Sequence, residues 1–265
     1  MTGDGGSAGT DGVDTSEIEI LVCECFRGFI EISQQLIIGE YLFRPFNIRK
    51  TAMLPDRLNA DLALPAVMHG ADLPWLASPL PGVERRPLFR IGGEKARATS
   101  LVRYAPGSHF NAHQHPGGEE FVVLEGVFED ERGQYPAGSY VRNPPGSAHA
   151  PRSGEGCTIF VRLQQFHRED GQQLVATLSP LGDQLLFSNA HEQVHLKHVQ
   201  PGAAVHLNNP RGLECLLLQG NLDGADFSLQ PLSWMRLPAG TPLQASAGAQ
   251  GARFWIKDAA LTLGL

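Results

Sequence analysis

Cysteine is scarce in this chain, and its scarcity excludes a secreted fold that is stabilised by several disulfide bonds. The 265 residues contain four cysteines, at positions 23, 25, 157 and 215, which are too few and too scattered for a disulfide framework. Cys23 and Cys25 form a C-x-C pair, but the segment around them lacks the further cysteine or histidine that a metal site requires. We therefore expect reduced thiols and a cytoplasmic location.

The sequence also lacks a basic stripe. Lys and Arg number 21 against 28 Asp and Glu, for a formal net charge of −7, and no Lys or Arg occurs in the first 20 residues. Without clustered positive charge there is no electrostatic footprint for a nucleic acid or for an anionic membrane surface. We expect neither partner, which leaves a small molecule or another protein as the binding partner.

No apolar run in the sequence is typical of a membrane span. The most apolar N-terminal stretch, FRGFIEISQQLIIGEYLF, is interrupted by Glu31 and Glu40. It has neither the basic region nor the small-residue cleavage pattern of a signal peptide. We therefore expect no membrane anchor from this segment.

Glycine and proline, by contrast, are abundant. The chain has 30 glycines and 19 prolines, and short apolar runs lie between them. Such frequent turn signals favour many short strands over long helices. We predict an all-β fold, and the strand-like runs from about residue 58 to 166 have the spacing of a sandwich or barrel.

Composition and repetition divide the chain into three parts. Residues 1–57 are predicted to be a poorly ordered N-terminal extension, and the natural start is hypothesised to lie at Met53. Two repeats are predicted to follow, a metal-binding domain over residues 58–168 and a second, degenerate domain over residues 169–265. The repeats align Pro106-Gly107 with Pro201-Gly202, Gly126 with Gly220, and Pro145-Gly146 with Ala239-Gly240.

Three histidines and a glutamate indicate a metal site in the first repeat. Residues two apart in a strand lie on one face, so His113 and His115 can reach one ion, and the same parity selects Glu119 over Glu120. His149, behind a rigid Pro-Pro-Gly turn, supplies a ligand from another strand. This mixed N/O set suits one divalent transition metal per chain, Zn²⁺ or Fe²⁺, with Mn²⁺ or Ni²⁺ as alternatives, and does not suit calcium.

The second repeat lacks these ligands. Its corresponding positions fall near Leu207 to Pro210, Leu213 and Leu243, so we expect a structural partner without a metal. Glu120 is expected to be a solvated or hydrogen-bonded strand residue. Structural or surface roles are assigned to the other histidines, which are His69, His109, His167, His191, His195, His198 and His206. For His109, the alternative is a cavity-lining role.

The spacing of the predicted ligands resembles the two motifs of the cupin superfamily. The first motif, G-x5-H-x-H-x3-E-x6-G, is matched from Gly107 through Gly126, and the second, G-x5-P-x-G-x2-H-x3-N, is matched from Gly138 through His149 but departs at Ser153. The segment GGEEFVVLEGVFEDERGQYPAGSYVRNPPGSAHAP resembles the ChrR-like cupins, found in a zinc anti-sigma factor and in stand-alone proteins. The resemblance implies a tandem double-stranded β-helix (jelly-roll) bicupin, and a homodimer by analogy.

The resemblance implies two different functions. One is a sensing or regulatory metalloprotein, in which the metal stabilises the fold until a ligand is lost or oxidised. The other is a non-haem Fe(II) dioxygenase of a diketone or aryl-ketone substrate, because related sequences include such enzymes. Direct sigma-factor inhibition is disfavoured, since the family's H-x3-C-x2-C zinc motif has no counterpart around Cys23 and Cys25. We place the sensing or regulatory role first and the dioxygenase second.

Overall fold

The structure, a computed structural model, describes residues 55–93, 95–262 and 264. These residues form antiparallel strands and one short 3-10 turn, Gly70–Asp72, which confirms the predicted all-β fold. The predicted extension, residues 1–57, lies almost wholly outside the described residues, as do Cys23, Cys25 and Met53. In the described part of the chain, no helix is long and apolar enough to cross a membrane.

The described residues contain 21 strands. The first fourteen are β1 (Arg57–Leu58), β2 (Ala66–His69), β3 (Leu76–Ala77), β4 (Val83–Ile91), β5 (Arg97–Tyr104), β6 (Ser108–His109), β7 (His113–His115), β8 (Glu119–Asp130), β9 (Gly133–Pro136), β10 (Ser139–Asn143), β11 (Ser147–His149), β12 (Arg152–Ser153), β13 (Cys157–Leu163) and β14 (Leu174–Thr177). The remaining seven are β15 (Gln184–Ser188), β16 (Glu192–Val199), β17 (Ala204–Leu207), β18 (Leu213–Asp223), β19 (Ser228–Leu229), β20 (Ser233–Leu237) and β21 (Leu243–Ala259).

Two large antiparallel sheets and one small ladder organise these strands. The first sheet has the order β1-β4-β5-β13-β8-β10-β14, with β3, β6, β9 and β12 attached at its sides. The second has the order β15-β16-β21-β18-β20-β2, with β17 and β19 attached. The small ladder joins β7 to β11. It carries all three histidines of the predicted metal site.

Two strands lie in the sheet of the other predicted domain. Strand β2 pairs with β20, so Ala66 is opposite Arg236 in the second sheet. Strand β14 pairs with β10, so Thr177 is opposite Ser139 in the first sheet. The division at residues 168 and 169 stays a prediction. Through these two exchanged strands, β2 and β14, backbone hydrogen bonds connect the two halves of the described chain.

Three apolar clusters fill the space inside and between the sheets. One lies between the sheets, where the rings of Phe160 and Trp255 meet with centroids 5.3 Å apart. A second, with Phe121 and Phe128, lies on the side of the first sheet that faces the β7–β11 ladder. The third contains Phe254 and fills the second half of the chain. Strand alternation explains this division, because neighbouring residues of one strand face different clusters.

A buried network of charged side chains accompanies the apolar contact between the two sheets. Glu120 lies at its centre and is 1% exposed. Its carboxylate accepts hydrogen bonds from Tyr140, from Arg142 at 3.3 Å, from Arg162 at 2.6 Å and from Lys257 at 2.9 Å. Of the two predicted roles, the hydrogen-bonded one is therefore confirmed for Glu120. The solvated one is wrong, because this face of β8 packs against the second sheet.

Further carboxylates balance the cations of this network. Burial alone would raise the pKa of Glu120, but the charges of Lys257, Arg162 and Arg142 outweigh it and hold that pKa well below its ordinary value. The additional ion pairs join Lys257 to Glu192 at 2.7 Å, Arg162 to Glu214 at 2.8 Å, and Arg142 to Asp170 at 2.6 Å. Side chains from both sheets therefore share one buried set of charges.

Candidate metal centre

Strand pairing brings the three predicted histidine ligands together. His113 and His115 are the ends of β7, and His149 ends β11. In the ladder, His113 is directly opposite His149. Directly opposite residues, and residues two apart on one strand, share a face of the ladder. The three imidazoles therefore project to one side, and the sequence-predicted trio meets in the folded chain.

The three rings form a nearly equilateral triangle. Their centroids are 4.8 Å apart for His113 and His115, 5.2 Å for His113 and His149, and 4.9 Å for His115 and His149. One ring nitrogen from each histidine lies within 4.8 Å of the others, and the Nε2 atoms of His115 and His149 are 3.0 Å apart. Convergent imidazole nitrogens are a ligand set for zinc, iron, nickel or copper. The three histidines fit a divalent transition metal.

Glu119 lies beside two of the three histidines. Its Oε2 atom is 3.6 Å from His115 Nε2 and 3.4 Å from His149 Nε2. Glu120 points to the opposite face of β8, into the buried charge network. The assignment of Glu119 as the fourth ligand stays a prediction, and its position next to two ligand nitrogens is consistent with it.

Hydrogen bonds orient the two histidines that face each other in the ladder. The Nδ1 atom of His113 lies 3.1 Å from the carbonyl oxygen of Asn111, and that of His149 lies 3.3 Å from Asp130 Oδ2. A carbonyl or an ionised carboxylate only accepts, so each Nδ1 carries the proton and donates. In the neutral ring, the lone pair is then on Nε2, the atom that a metal needs.

Two buried residues that support the site escaped the sequence interpretation. Asp130 contacts His149 and accepts a hydrogen bond from the Tyr135 hydroxyl at 3.0 Å. Asn143 donates from Nδ2 to Glu119 Oε2 at 3.0 Å. Neither residue belongs to the motif spacing. Asp130 can be assigned to the face of β8 that points to the site only when the pairing of β8 with its neighbours is known.

Ser153 occupies the position where the second cupin motif has asparagine. It is fully buried, and its hydroxyl donates to the carbonyl oxygen of Val127 at 2.6 Å. The hydroxyl thus satisfies a backbone acceptor of the long strand β8. The departure from the motif leaves no unpaired polar side chain at this position.

Burial sets the protonation of the cluster. It lowers the pKa of His115 to about 4, with a further contribution from His113, and it lowers the pKa of His149 against the opposing effect of Glu119. Burial raises the pKa of Glu119, while His149 and Asn143 oppose the rise. Neutral imidazole is the form that binds a metal. The buried histidines are therefore held in the ligating form at neutral pH.

A cavity of about 130 Å³ opens beside the histidines. His113, His115 and Glu119 form one part of its wall. Apolar side chains from β4, β5 and β13 line most of the rest, among them Val83, Val102, Ile159 and Val161. A small molecule in this cavity would lie next to the candidate ligands and against these apolar side chains.

The corresponding ladder of the second half contains leucines. Leu207 is opposite Leu243 in the pairing of β17 with β21, as His113 is opposite His149 in the pairing of β7 with β11. Leu243 is buried in the apolar cluster of that half. Among residues 55–93, 95–262 and 264, the three-histidine cluster is the one group of His, Cys, Asp or Glu with the geometry to hold a metal.

The other histidines lie apart from the cluster. His69 Nδ1 is 3.0 Å from the Ser233 hydroxyl, and His167 stacks on His191 with ring centroids 3.7 Å apart. His109 is exposed, opposite Arg152. None of these contacts involves the candidate ligands.

Comparison with known proteins identifies a family match for part of the chain. Residues 64–167 match the family model described as the ChrR cupin-like domain. No curated protein matches the chain.

Several solved structures share the fold. A candidate dioxygenase from Nostoc punctiforme has a TM-score of 0.59 and 15% identity over 76% of this chain and 84% of its own. The Escherichia coli pirin YhhW, in complex with nickel(II), has a TM-score of 0.60 and 12% identity over 74% and 99%. A cupin 2 conserved barrel domain protein from Leptotrichia buccalis has a TM-score of 0.52 and 12% identity over 77% and 99%.

The matched family segment contains the whole histidine cluster and both sides of the cavity. The structural likenesses, at these low identities, show the shared fold. Residues 64–167 therefore match a ChrR cupin-like domain, and the described chain shares the fold of solved cupin proteins.

Proposed function

We propose that the chain is a bicupin metalloprotein that binds one divalent transition metal through His113, His115, His149 and Glu119. The convergence of three imidazole nitrogens in buried surroundings supports the metal. The two halves have matching ladders, but the second has leucines in place of the histidines. This supports two cupin domains, of which only the first binds a metal.

We further propose that this centre acts on a small organic molecule, as a non-haem Fe(II) dioxygenase of a diketone or its enolate. The observation that carries this is the apolar cavity of about 130 Å³ beside the histidines. A structural metal has no need of such a cavity, whereas a substrate has to reach the metal through one. Although the sequence placed a regulatory role first, the cavity favours the enzyme.

The residues of the chain would have distinct roles in this function. Bound iron would supply open coordination positions and redox chemistry. His113 and His149 hold their Nε2 atoms ready through hydrogen bonds on Nδ1. The apolar wall, including Val102 and Ile159, would position the body of the substrate and exclude water.

A sensing or regulatory role is the second candidate, and the ligand count favours it. Four protein ligands saturate a tetrahedral zinc, which would then be structural. Glu119, close to His115 and His149, would complete such a set. Under this proposal, zinc stabilises the fold, and removal of zinc exposes the cluster to a partner.

Metal analysis followed by oxygen uptake distinguishes the two proposals. We would purify the full chain from unsupplemented cells, measure metal by elemental analysis, and then measure oxygen consumption of the iron-loaded protein with a panel of β-diketones. The dioxygenase proposal expects ketone-dependent uptake that His149→Ala abolishes. His109→Ala is the matched control, because His109 is exposed, and it should retain both metal and uptake.

Each proposal has an outcome that contradicts it. Stoichiometric zinc with no uptake after iron loading contradicts the dioxygenase and supports the structural or sensing role. Unchanged metal content in both His113→Ala and His149→Ala contradicts the ligand set itself.

A further inference from the structure

Two arginines share the cavity with the candidate metal ligands. Arg85 and Arg90 lie on β4, and both line the cavity. Residues five apart on a regular strand face opposite sides. The register of β4 against β5 shifts between Pro87 and Phe89, and this bulge turns Arg90 to the side that Arg85 faces. The irregularity of the strand thus places two positive charges in one apolar cavity.

Neither arginine forms an ion pair with a described residue. Arg85 makes no hydrogen bond and no ion pair with any residue in the described part of the chain. Arg90 donates from Nη2 to the Gly93 carbonyl, but within the described residues its buried Nε has no hydrogen-bond partner. Burial lowers the pKa of Arg90 and the charge of Arg85 lowers it further, while the charge of Asp56 opposes this shift. Within the described residues, no carboxylate lines the cavity at this end.

The acidic residue of the cavity wall lies at the other end. In the sheet, Arg90 is opposite Ala98, Ala98 is opposite Leu163, and Leu163 is opposite Glu119. Strands β5 and β13 therefore separate Arg90 from Glu119, and Glu119 contacts the histidines instead. The cavity has a cationic end, an apolar middle and a candidate metal end.

We propose that this cavity binds a small organic anion, whose carboxylate pairs with Arg85 and Arg90 while its apolar body extends towards the candidate metal ligands. A guanidinium group matches the geometry of a carboxylate through paired hydrogen bonds. A dry cavity of comparable volume holds a molecule about the size of benzene. The inference rests on the proposed function for the role of the metal end, and it adds a carboxylate to the proposed diketone substrate, at the end away from the metal.

Benzoate and benzamide test the anion site, because they have the same shape and differ in charge. We would titrate each into the full chain by calorimetry, once in the metal-free state and once in the zinc-loaded state. Benzoate should bind more tightly than benzamide. Arg85→Gln should weaken benzoate binding by about 10–100-fold, the usual effect of losing a hydrogen bond to a charged group, and should leave benzamide binding unchanged.

Two further variants isolate the role of the positive charge. Arg85→Lys keeps the charge and should restore part of the benzoate affinity. Arg86→Gln is the matched control, since Arg86 faces away from the cavity with its guanidinium 4.3 Å from the Trp75 ring centre, and it should bind benzoate as the unmodified chain does. Thermal unfolding of each variant verifies that it is folded.

The outcomes separate the anion site from the metal function. Equal affinities for benzoate and benzamide, no binding of benzoate at millimolar concentration, or an unaffected Arg85→Gln variant would each overturn the anion site. Loss of the proposed function appears instead as absent metal or absent oxygen uptake. Benzoate binding to the metal-free chain would support the anion site in either case.

Discussion

At the scale of single residues, Asp130 is the most informative position around the candidate metal centre. It is 2% exposed, and its Oδ2 atom faces Nδ1 of His149 while Oδ1 accepts from Tyr135. Asp130→Asn replaces one carboxylate oxygen with an NH2 donor. Because the Arg132 N–H and the Tyr135 hydroxyl donate to Oδ1, the remaining oxygen stays with them and the NH2 group faces His149 Nδ1, which loses its acceptor. We expect metal affinity to fall by about 10–100-fold, measured by competition with a chromogenic zinc chelator.

The neighbouring residue Glu129 provides the control for Asp130. Its carboxylate pairs with exposed Arg152 at 3.1 Å, away from the cluster. Glu129→Gln should therefore leave zinc affinity unchanged. Equal affinity of Asp130→Asn and the unmodified chain would show that Asp130 does not position His149.

The three histidines of the candidate metal centre were predictable from the sequence, but the residues that support them were not. The H-x-H spacing and the turn before His149 indicate the trio from local sequence alone. Asp130 and Asn143 act through contacts that depend on the pairing of β8 with its neighbours. A motif records spacing along the chain, and these contacts are set by distances between strands.

At the scale of strands, Gly126 and Gly220 mark the same bend in the two halves. Both have positive φ, +68° and +75°. A Cβ on Gly126 would fall against the Gly156 carbonyl oxygen, and one on Gly220 against that of Gly251. Strand β8 passes at close range to Gly156, which directly precedes β13, and β18 passes at close range to Gly251 of β21. This agreement supports the sequence alignment of Gly126 with Gly220.

Substitution of Gly126 should lower the stability of the fold, because of its positive φ and because of the close Gly156 carbonyl oxygen. Gly126→Ala combines a left-handed backbone, at about 1–2 kcal/mol, with a clash that adds about 1–3 kcal/mol. We expect the free energy of unfolding, measured in urea, to fall by about 2–5 kcal/mol. Gly138→Ala is the control, because Gly138 has φ +88° and open space around its Cβ position; it should lose about 1–2 kcal/mol. Equal losses would show that the Gly156 contact costs nothing.

At the scale of the whole molecule, the buried charges join the two halves. Lys257, from β21, is 1% exposed and pairs with Glu120 of β8 and with Glu192 of β16. Lys257→Met leaves Glu120 and Glu192 buried with one cation fewer. Breaking a buried ion pair typically costs about 3–5 kcal/mol, so we expect a loss of that size in the free energy of unfolding.

An exposed ion pair supplies the comparison for Lys257. Lys197 pairs with Asp183 at 2.7 Å, where both side chains are accessible to solvent. Lys197→Met should cost less than about 1 kcal/mol. If both substitutions cost the same in urea unfolding, the network around Glu120 does not hold the two halves together.

The sequence by itself determined the fold class, the cupin motifs and the histidine trio. Frequent turn residues and two-residue periodicity predict strands from local information, and the H-x-H spacing places two imidazoles on one face of a strand. The tertiary structure alone decided the exchange of β2 and β14, the burial of Glu120 among cations, and the entry of Arg85 and Arg90 into one cavity. These features depend on which strands pair and where a bulge shifts the register. Such long-range choices minimise the free energy of the whole chain, and no short segment encodes them.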